Sequence, residues 1–528
     1  MTRIFFAMKI LLAYISGASD RDEPYISLLP TGVCYLHACL KEAGFDSVLA
    51  NFSAWPDAAI AHQLDAIRPA IVGISQWTHN RHASLALARL VRRTLPASTI
   101  IMGGAHATFC FQEILRPGSP VDIVVMGEGE ETLRELVACH AEGRDWHHTT
   151  GIAFRQGAEV RINPHRPLLH ELDRLPVPAR YLDGAIGVDR DLQPEFILTA
   201  RGCPFVCHFC SSPGFWSRQI RFRSPGHMVD EILYIRDQYG LIYFSLRDDT
   251  FTADRSRAIA FCRQLIDRKA HILWNCQSRV SALDEELLMW MKRSGCECVQ
   301  LGVESGSPRI LAMLGKLIEP AQVETVAGLI RRVGINLSVY LISDVPGETA
   351  DDINQTIGLL RRIQADDGYV SPLAYYPGTR LFEEAVASGR VKRELFEENR
   401  DAAVYASGRP GRNADRLLKA ISRHAPGDAE RFRHQKALLG YCYTTNVLAG
   451  EWYRQNGDEE LAEQEFREIT EQQPDNPWGW YLLGELYDAT GRTRQAMACH
   501  RRVLALVPNH GPSRSALAAR EATKKSGA

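Results

Sequence analysis

Short apolar runs of strand length alternate with helical stretches twice along this chain, and that alternation restricts the fold more than any other feature. The first series runs from Lys9 to about Val160. Strands are expected at Lys9–Ile15, Ser47–Ala50, Ile71–Ser75, Thr99–Met102 and Ile123–Met126, with helices at Gly32–Ala43, Ile60–Ile67 and Ala83–Arg93. This spacing predicts a parallel, doubly wound sheet, in which ligands sit at the carboxyl ends of the strands. The informative residues lie there: Ser75-Gln76-Trp77-Thr78, Gly103-Gly104-Ala105-His106-Ala107-Thr108 and Gly127-Glu128-Gly129-Glu130. Their glycines let a large ligand approach the backbone. A dinucleotide site wants G-x-G-x-x-G after the first strand, and Ser16-Gly17-Ala18-Ser19 does not fit.

The second series begins at Phe196. Strands at Phe196–Thr199, Tyr243–Leu246, Ile272–Gln277, Cys298–Val303 and Leu337–Ile342, and a last one before Tyr376, alternate with helices. Six such units predict a (β/α)6 partial barrel with its chemistry at the strand ends. After the first strand comes Arg201-Gly202-Cys203-Pro204-Phe205-Val206-Cys207-His208-Phe209-Cys210, a C-x3-C-x2-C run. Three thiolates so close together can hold three corners of an iron–sulfur cube and leave the fourth iron open to a small molecule. The rival is structural zinc, which wants four ligands; His208 would serve only in a cramped loop. Cys296 and Cys298 are spaced to reach one metal together, but read as ordinary thiols. At later strand ends stand Asp248, Asp249, Arg279, Glu304 and Val345-Pro346. Taken singly, the aspartates read as a helix cap, Arg279 as a surface charge and Glu304 as an ion-pair partner. Their order behind the cysteine loop makes them candidates.

With 528 residues the chain exceeds one compact domain, and 61 basic against 63 acidic residues leave no basic patch for nucleic acid. The 13 cysteines are spread through predicted helices and strands. With no secretory leader and no segment approaching a membrane span, a reduced cytoplasmic protein is expected.

The cysteine run closely resembles the cluster loop of radical S-adenosylmethionine (SAM) enzymes, including Gly202, Pro204 and the aromatic Phe209. The amino-terminal third resembles the cobalamin-binding domain of B12-dependent members, in which Pro30-Thr31-Gly32, the Gly-Gly-x-His of residues 103–106 and Gly127-Glu128-Gly129-Glu130 recur. The resemblance covers roughly residues 9 to 385. It implies a Rossmann-like cobalamin domain ahead of a partial TIM barrel, with a 4Fe-4S cluster on Cys203, Cys207 and Cys210 and SAM on the open iron. It further implies class B methyl transfer from methylcobalamin to an unactivated carbon of a small molecule. Two SAM then give methylated product, S-adenosylhomocysteine, 5′-deoxyadenosine and methionine. By the same resemblance Asp248 or Asp249 accepts hydrogen bonds from the methionine ammonium and Arg279 pairs with its carboxylate. Glu304 binds the ribose hydroxyls, and Phe209 and Val345-Pro346 sandwich adenine.

Around cobalamin the resemblance implies Ser75, Trp77, Thr78, Gly103, Gly104, His106, Thr108, Gly127, Glu128 and Gly129. The Asp-x-His-x-x-Gly motif whose histidine ligates cobalt is absent, and Trp77 is the candidate cap for that lower face. Some members of the architecture close, contract or oxidise rings instead, and that alternative stays open, as does a redox- or B12-sensing scaffold. The tRNA methylthiotransferases share the loop, but their extra cysteines and nucleic-acid module are not visible here. Implied partners are a small-molecule substrate and a reductant such as flavodoxin or ferredoxin, with neither nucleic acid nor membrane.

The carboxyl end is expected to be all-α. Trp480, Leu483, Gly484, Tyr487, Ala496, His500, Val503 and Pro508 fall on the tetratricopeptide (TPR) template. Moving back 34 residues gives Asn446, Ala449, Gly450, Tyr453, Ala462, Phe466, Ile469 and Pro474. A solenoid usually needs three units, so this pair, capped by a helix at Ser513–Glu521, is expected to lean on the rest of the chain or on a protein partner. The expected plan is cobalamin domain 8–160, linker 161–190, radical SAM barrel 191–385, helical connector 386–440, repeats and cap 441–521, and disordered tail 522–528.

Overall fold

Every residue of β1 (Lys9–Tyr14) after the first is buried, which requires a strand covered on both faces. The computed structural model, which describes residues 8–17, 26–397, 403–407, 411–421 and 429–526, shows how. In order along the chain follow α1 (Thr31–Glu42), β2 (Asp46–Asn51), α2 (Asp57–Ile67), β3 (Ile71–Ser75) and α3 (Arg81–Thr94). Then come β4 (Thr99–Gly103), the short α4 (Ala105–Phe109) and α5 (Phe111–Ile114), β5 (Ile123–Val125) and α6 (Glu130–Glu142). The sheet order is β2-β1-β3-β4-β5, all parallel, extended by an antiparallel hairpin of β6 (Ile152–Gln156) and β7 (Glu159–Ile162). Alternate residues of β1 serve opposite cores. Leu11 and Ala13 pack with Leu64 of α2 and Leu87 and Val91 of α3. Ile10 and Leu12 pack with Val33 and Leu40 of α1 and Leu133 and Val137 of α6. Each such leucine contributes roughly 1.5–3 kcal/mol by leaving water.

Contacts divide the chain into two units, and the cut differs from the expected succession of domains. Met1–Pro194, Arg201–Phe222 and Leu373–Arg409 form one; Glu195–Ala200, Arg223–Pro372 and Pro410–Ala528 form the other. The cysteine loop thus gathers with the first sheet. The expected linker 161–190 is packed rather than loose, with Leu172, Ala179 and Leu182 buried.

The second unit is built on six parallel strands: Phe196–Ile197, Tyr243–Leu246, Leu273–Ser278, Cys296–Glu304, Asn336–Ser343 and Asp367–Pro372, side by side in chain order. Each βα turn ends in a residue suited to start a helix. The side chains of Ser224, Asp254, Asp284, Ser307 and Thr349 accept from the backbone N–H three residues on.

The repeat helices are Tyr443–Gln455, Glu459–Gln472, Pro477–Ala489 and Thr493–Leu506. The glycines 34 residues apart do the same work in each pair. A Cβ on Gly450 would lie 2.3 Å from the Phe466 ring, and one on Gly484 would lie 2.8 Å from His500. The final helix, Gly511–Ser526, passes the expected end at Glu521 and takes in most of the expected tail; residues 527–528, like parts of the expected connector, lie outside the described residues. The pair leans on the barrel, as two units should. Tyr443 Oη donates to Ile272 O at 2.5 Å, Asn509 Nδ2 donates to Gln238 O at 3.0 Å, and Ile242 and Leu273 belong to the repeat core. Among the described residues no helix is long and apolar enough to cross a membrane.

Tyr443→Phe removes that buried bond with almost no change of shape. Urea denaturation should show a loss of about 1–3 kcal/mol; an unchanged midpoint would mean that the repeats gain nothing from this contact.

Candidate active site

The carboxyl edge of the first sheet is held by side chains that turn back onto their own loops. Gly104 has φ +106°, and a Cβ there would meet Gln76 O at 2.5 Å, so glycine is required for β3 and β4 to end this close together. Asn80 ties the β3 loop together and to the end of β1: Nδ2 donates to Ser75 O and Ile15 O, and Oδ1 accepts from Trp77 N at 2.6 Å. Thr108 joins the two glycine turns, donating to Gly104 O at 2.9 Å and accepting from Gly127 N at 3.1 Å. Gly103 pairs in register with Ser75. Gly127 takes φ +71° with open space where a Cβ would stand. Trp77 is 41% exposed, a large apolar ring left in the open at this edge. The edge therefore fits a broad planar ligand: bare glycine backbone, and an exposed aromatic face.

Two expected residues face inward instead. His106 is buried and its Nδ1 pairs with Thr78 Oγ1 at 3.1 Å, so each occupies the other. Burial, reinforced by Arg81 and His82, pushes the His106 imidazole down to about 3.

Glu128 also differs from expectation. Its carboxylate accepts from Arg201 Nη1 at 2.8 Å, Arg221 Nη1 at 2.7 Å and Leu169 N at 2.8 Å, and is only 6% exposed. Glu130 adds a bond to Arg201 Nη2 at 2.6 Å. Burial alone would lower Arg201, but Glu130 and Glu128 outweigh it and hold the guanidinium above its usual value. Glu128 is thus a counter-ion; in the same turn Gly127 has open space where a Cβ would stand, whereas a Cβ on Gly129 would meet Leu36 at 3.0 Å. Sequence reasoning did not foresee the pairing of Arg201 and Arg221 with Glu128 and Glu130, because it spans about 70 to 90 residues.

Arg201 and Arg221 bracket the cysteine loop. Gly202, at φ +93°, would drive a Cβ to 2.0 Å from Gln219 O, which makes glycine obligatory where the loop begins. Cys207 is buried, Cys203 and Cys210 are half-buried, and none of the three is tied up in a disulfide. Among the described residues no three His, Cys, Asp or Glu side chains stand preassembled around a cation. The fit to an iron–sulfur cube rests on the donor set: three soft, reduced thiols on one short loop. Phe209, between two of them, is half-buried.

At the strand ends of the second unit the structure separates the two aspartates. Asp248 is 2% exposed and accepts from Thr199 N at 2.6 Å, Ala200 N at 2.8 Å and the Thr199 hydroxyl. Burial raises its pKa, with Arg257 opposing. It braces the backbone ahead of the cysteine loop and is spent on that task, whereas Asp249 is exposed. Arg279 is 6% exposed at the end of its strand. Glu304 has φ +66° at a slip in strand register and pairs with Lys316 Nζ at 2.8 Å, both nearly sealed from water. Gly302 makes room for this pair: a Cβ there would lie 2.8 Å from each charged atom. Val345 is buried and Pro346 half-buried in the turn after Ser343. Lys316 was not foreseen, since nothing near it marks it as Glu304's partner. Neither was Glu348, which burial pushes up to about 7 and which accepts from Asp344 N at 2.8 Å.

Known families match in three places: a B12 binding domain over residues 25–137, the Radical SAM superfamily over 197–360 and a tetratricopeptide repeat over 453–521. An uncharacterized methyltransferase of Pyrococcus horikoshii is 32% identical over 68% of this chain and 79% of its own length. The anaerobic magnesium-protoporphyrin IX monomethyl ester cyclase of Rubrivivax gelatinosus is 28% identical over 83% of this chain and 79% of its own. Among solved structures, the radical S-adenosylmethionine methyltransferase TsrM from Kitasatospora setae, with cobalamin and a 4Fe-4S cluster bound, covers 88% of this chain and 100% of its own. It superposes with a TM-score of 0.65 at 18% identity, a likeness of fold.

Lys316→Met strands the Glu304 carboxylate in a nearly dry site. It should cost about 3–5 kcal/mol in chemical denaturation, and adding Glu304→Gln should restore part of that. The His106 change has a definite sign. The folded chain refuses a proton that the unfolded chain takes near 6.5, so this stability is present above pH 6.5 and lost as pH falls toward about 3. His106→Gln should make the decline of the urea midpoint between pH 7.5 and pH 5 shallower.

Proposed function

Since this chain belongs to the cobalamin-dependent radical SAM enzymes, we propose that it methylates an unactivated carbon of a small-molecule substrate. The observation that carries this reading is the gathering of three reduced thiols on one short loop into the same unit as the glycine-edged sheet. When bound, the cluster with SAM supplies an oxidant strong enough to take hydrogen from a C–H bond, and cobalamin supplies the methyl group.

The chain's own residues place and shield these groups. Gly103, Gly104, Gly127 and Gly129 would give a bound corrin bare backbone to lie against, and Ser75, Thr108 and Trp77 would hold it there. Cys203, Cys207 and Cys210 hold the cluster. Asp249, being the exposed one of the two aspartates, takes the methionine ammonium, and Arg279 takes the carboxylate. Glu304 offers its carboxylate to the ribose, with Lys316 holding it in place. Val345-Pro346 would lie against adenine. We assign the compartment as the cytoplasm, the electron donor as flavodoxin or ferredoxin, and the TPR pair as a surface for a protein partner.

The cyclase relative, matching over 83% of this chain, supports a second reading in which a ring closes and no methyl moves. Turnover with methyl-labelled SAM separates the two: labelled product supports methyl transfer, and unlabelled product alongside released 5′-deoxyadenosine supports ring chemistry. Anaerobic reconstitution should load about four irons per chain, and the triple Cys→Ala chain should lose both that iron and all 5′-deoxyadenosine release. Zinc in place of iron would sink both readings.

A further inference from the structure

Four buried charges join the turn after β5 to both stems of the cysteine loop. Glu128 Oε1 meets Arg201 and Oε2 meets Arg221, while Glu130 closes on Arg201; all four side chains are 6–7% exposed. Arg201 lies over the Tyr35 ring at 5.1 Å and Arg221 over the Trp216 ring at 5.2 Å, so flat apolar faces seal the network. Resting on the reading above, in which the turn meets the corrin and the loop carries the cluster, we propose that Arg201, Arg221, Glu128 and Glu130 are positioning residues that link the two cofactor sites. Each cofactor then binds more tightly when the other is in place.

The argument is one of sealed charge. A buried ion left without its partner costs several kcal/mol, so these contacts do not loosen one at a time. One carboxylate grips both stems of the segment that holds the three cysteines. A shift of the Gly127–Gly129 turn toward a ligand is therefore passed to both stems together. Linkage also needs a second arrangement that a ligand can favour. Arg221 supplies a reason for one: its Nε and Nη2 are buried without an acceptor, a cost of the kind that a shifted loop relieves.

The test uses the full-length chain, anaerobically, with iron counted and cobalamin affinity read from the corrin absorption in cluster-loaded and cluster-free protein. Cobalamin should bind roughly 5- to 150-fold more tightly to the loaded form, the usual span of such coupling. Glu128→Gln should bring that ratio close to one while the loop still takes up iron. The resonance spectrum of the reduced cluster should change when cobalamin is added to the native chain and not to the variant. Equal affinities for the two forms of the native protein would overturn the linkage with no variant needed, so misfolding of Glu128→Gln cannot rescue it. A folded Glu128→Gln chain that kept the full ratio would overturn it too. A native chain that bound neither iron nor cobalamin would instead overturn the functional reading beneath it.

Discussion

A charge shut away from water must bring its counter-charge with it, and the cysteine-bearing segment is fixed by that requirement on both sides of its first residue. Asp248 clasps the N–H groups of Thr199 and Ala200, and Arg257 closes on Thr199 from its other side at 2.6 Å. Immediately after, Arg201 is gripped by Glu128 and Glu130. Magnitude separates these contacts from the many ion pairs at the surface. Arg134 and Glu131, roughly half exposed, share a bond worth about 1 kcal/mol or less. Breaking a sealed pair costs about 3–5 kcal/mol.

Backbone conformation tells a parallel story. In both units, residues at strand ends take left-handed angles. At Gly104 and Gly202 this is cheap, and any side chain would collide with a carbonyl. At Glu304 and Asp344, with φ +66° and +57°, it costs roughly 1–2 kcal/mol each. Such angles persist where neighbours over-determine them, and here they do: Lys316 holds Glu304, and Glu348 accepts from the Asp344 N–H.

What the sequence discloses follows from the range of each signal. Strand–helix alternation, the cysteine spacing and the 34-residue repeat are local or periodic, and both sheets and the paired repeat helices were legible from them. The β6–β7 hairpin was not, because β7 is largely exposed and carries no apolar pattern. Nor does sequence say which of two adjacent aspartates turns inward. Asp248 and Asp249 differ only in where Thr199 and Ala200 arrive, some 48 residues earlier in the chain. Glu128 looked like a ligand-facing residue because its neighbours are glycines; its true partners, Arg201 and Arg221, lie far along the chain. Glu304's plain reading, an ion-pair partner, describes its contact in the structure, and Lys316 explains why.

The carboxyl-terminal helices are not a portable part. Ile242 and Leu273 of the barrel are roofed by repeat residues, and the Ile272 carbonyl depends on Tyr443 for its side-chain donor. A chain trimmed at Leu439 would bare greasy barrel surface, and the excised arm, grafted elsewhere, would present a raw flank of its own. Any shortened version for crystallisation or fusion has to keep the arm and its seat together.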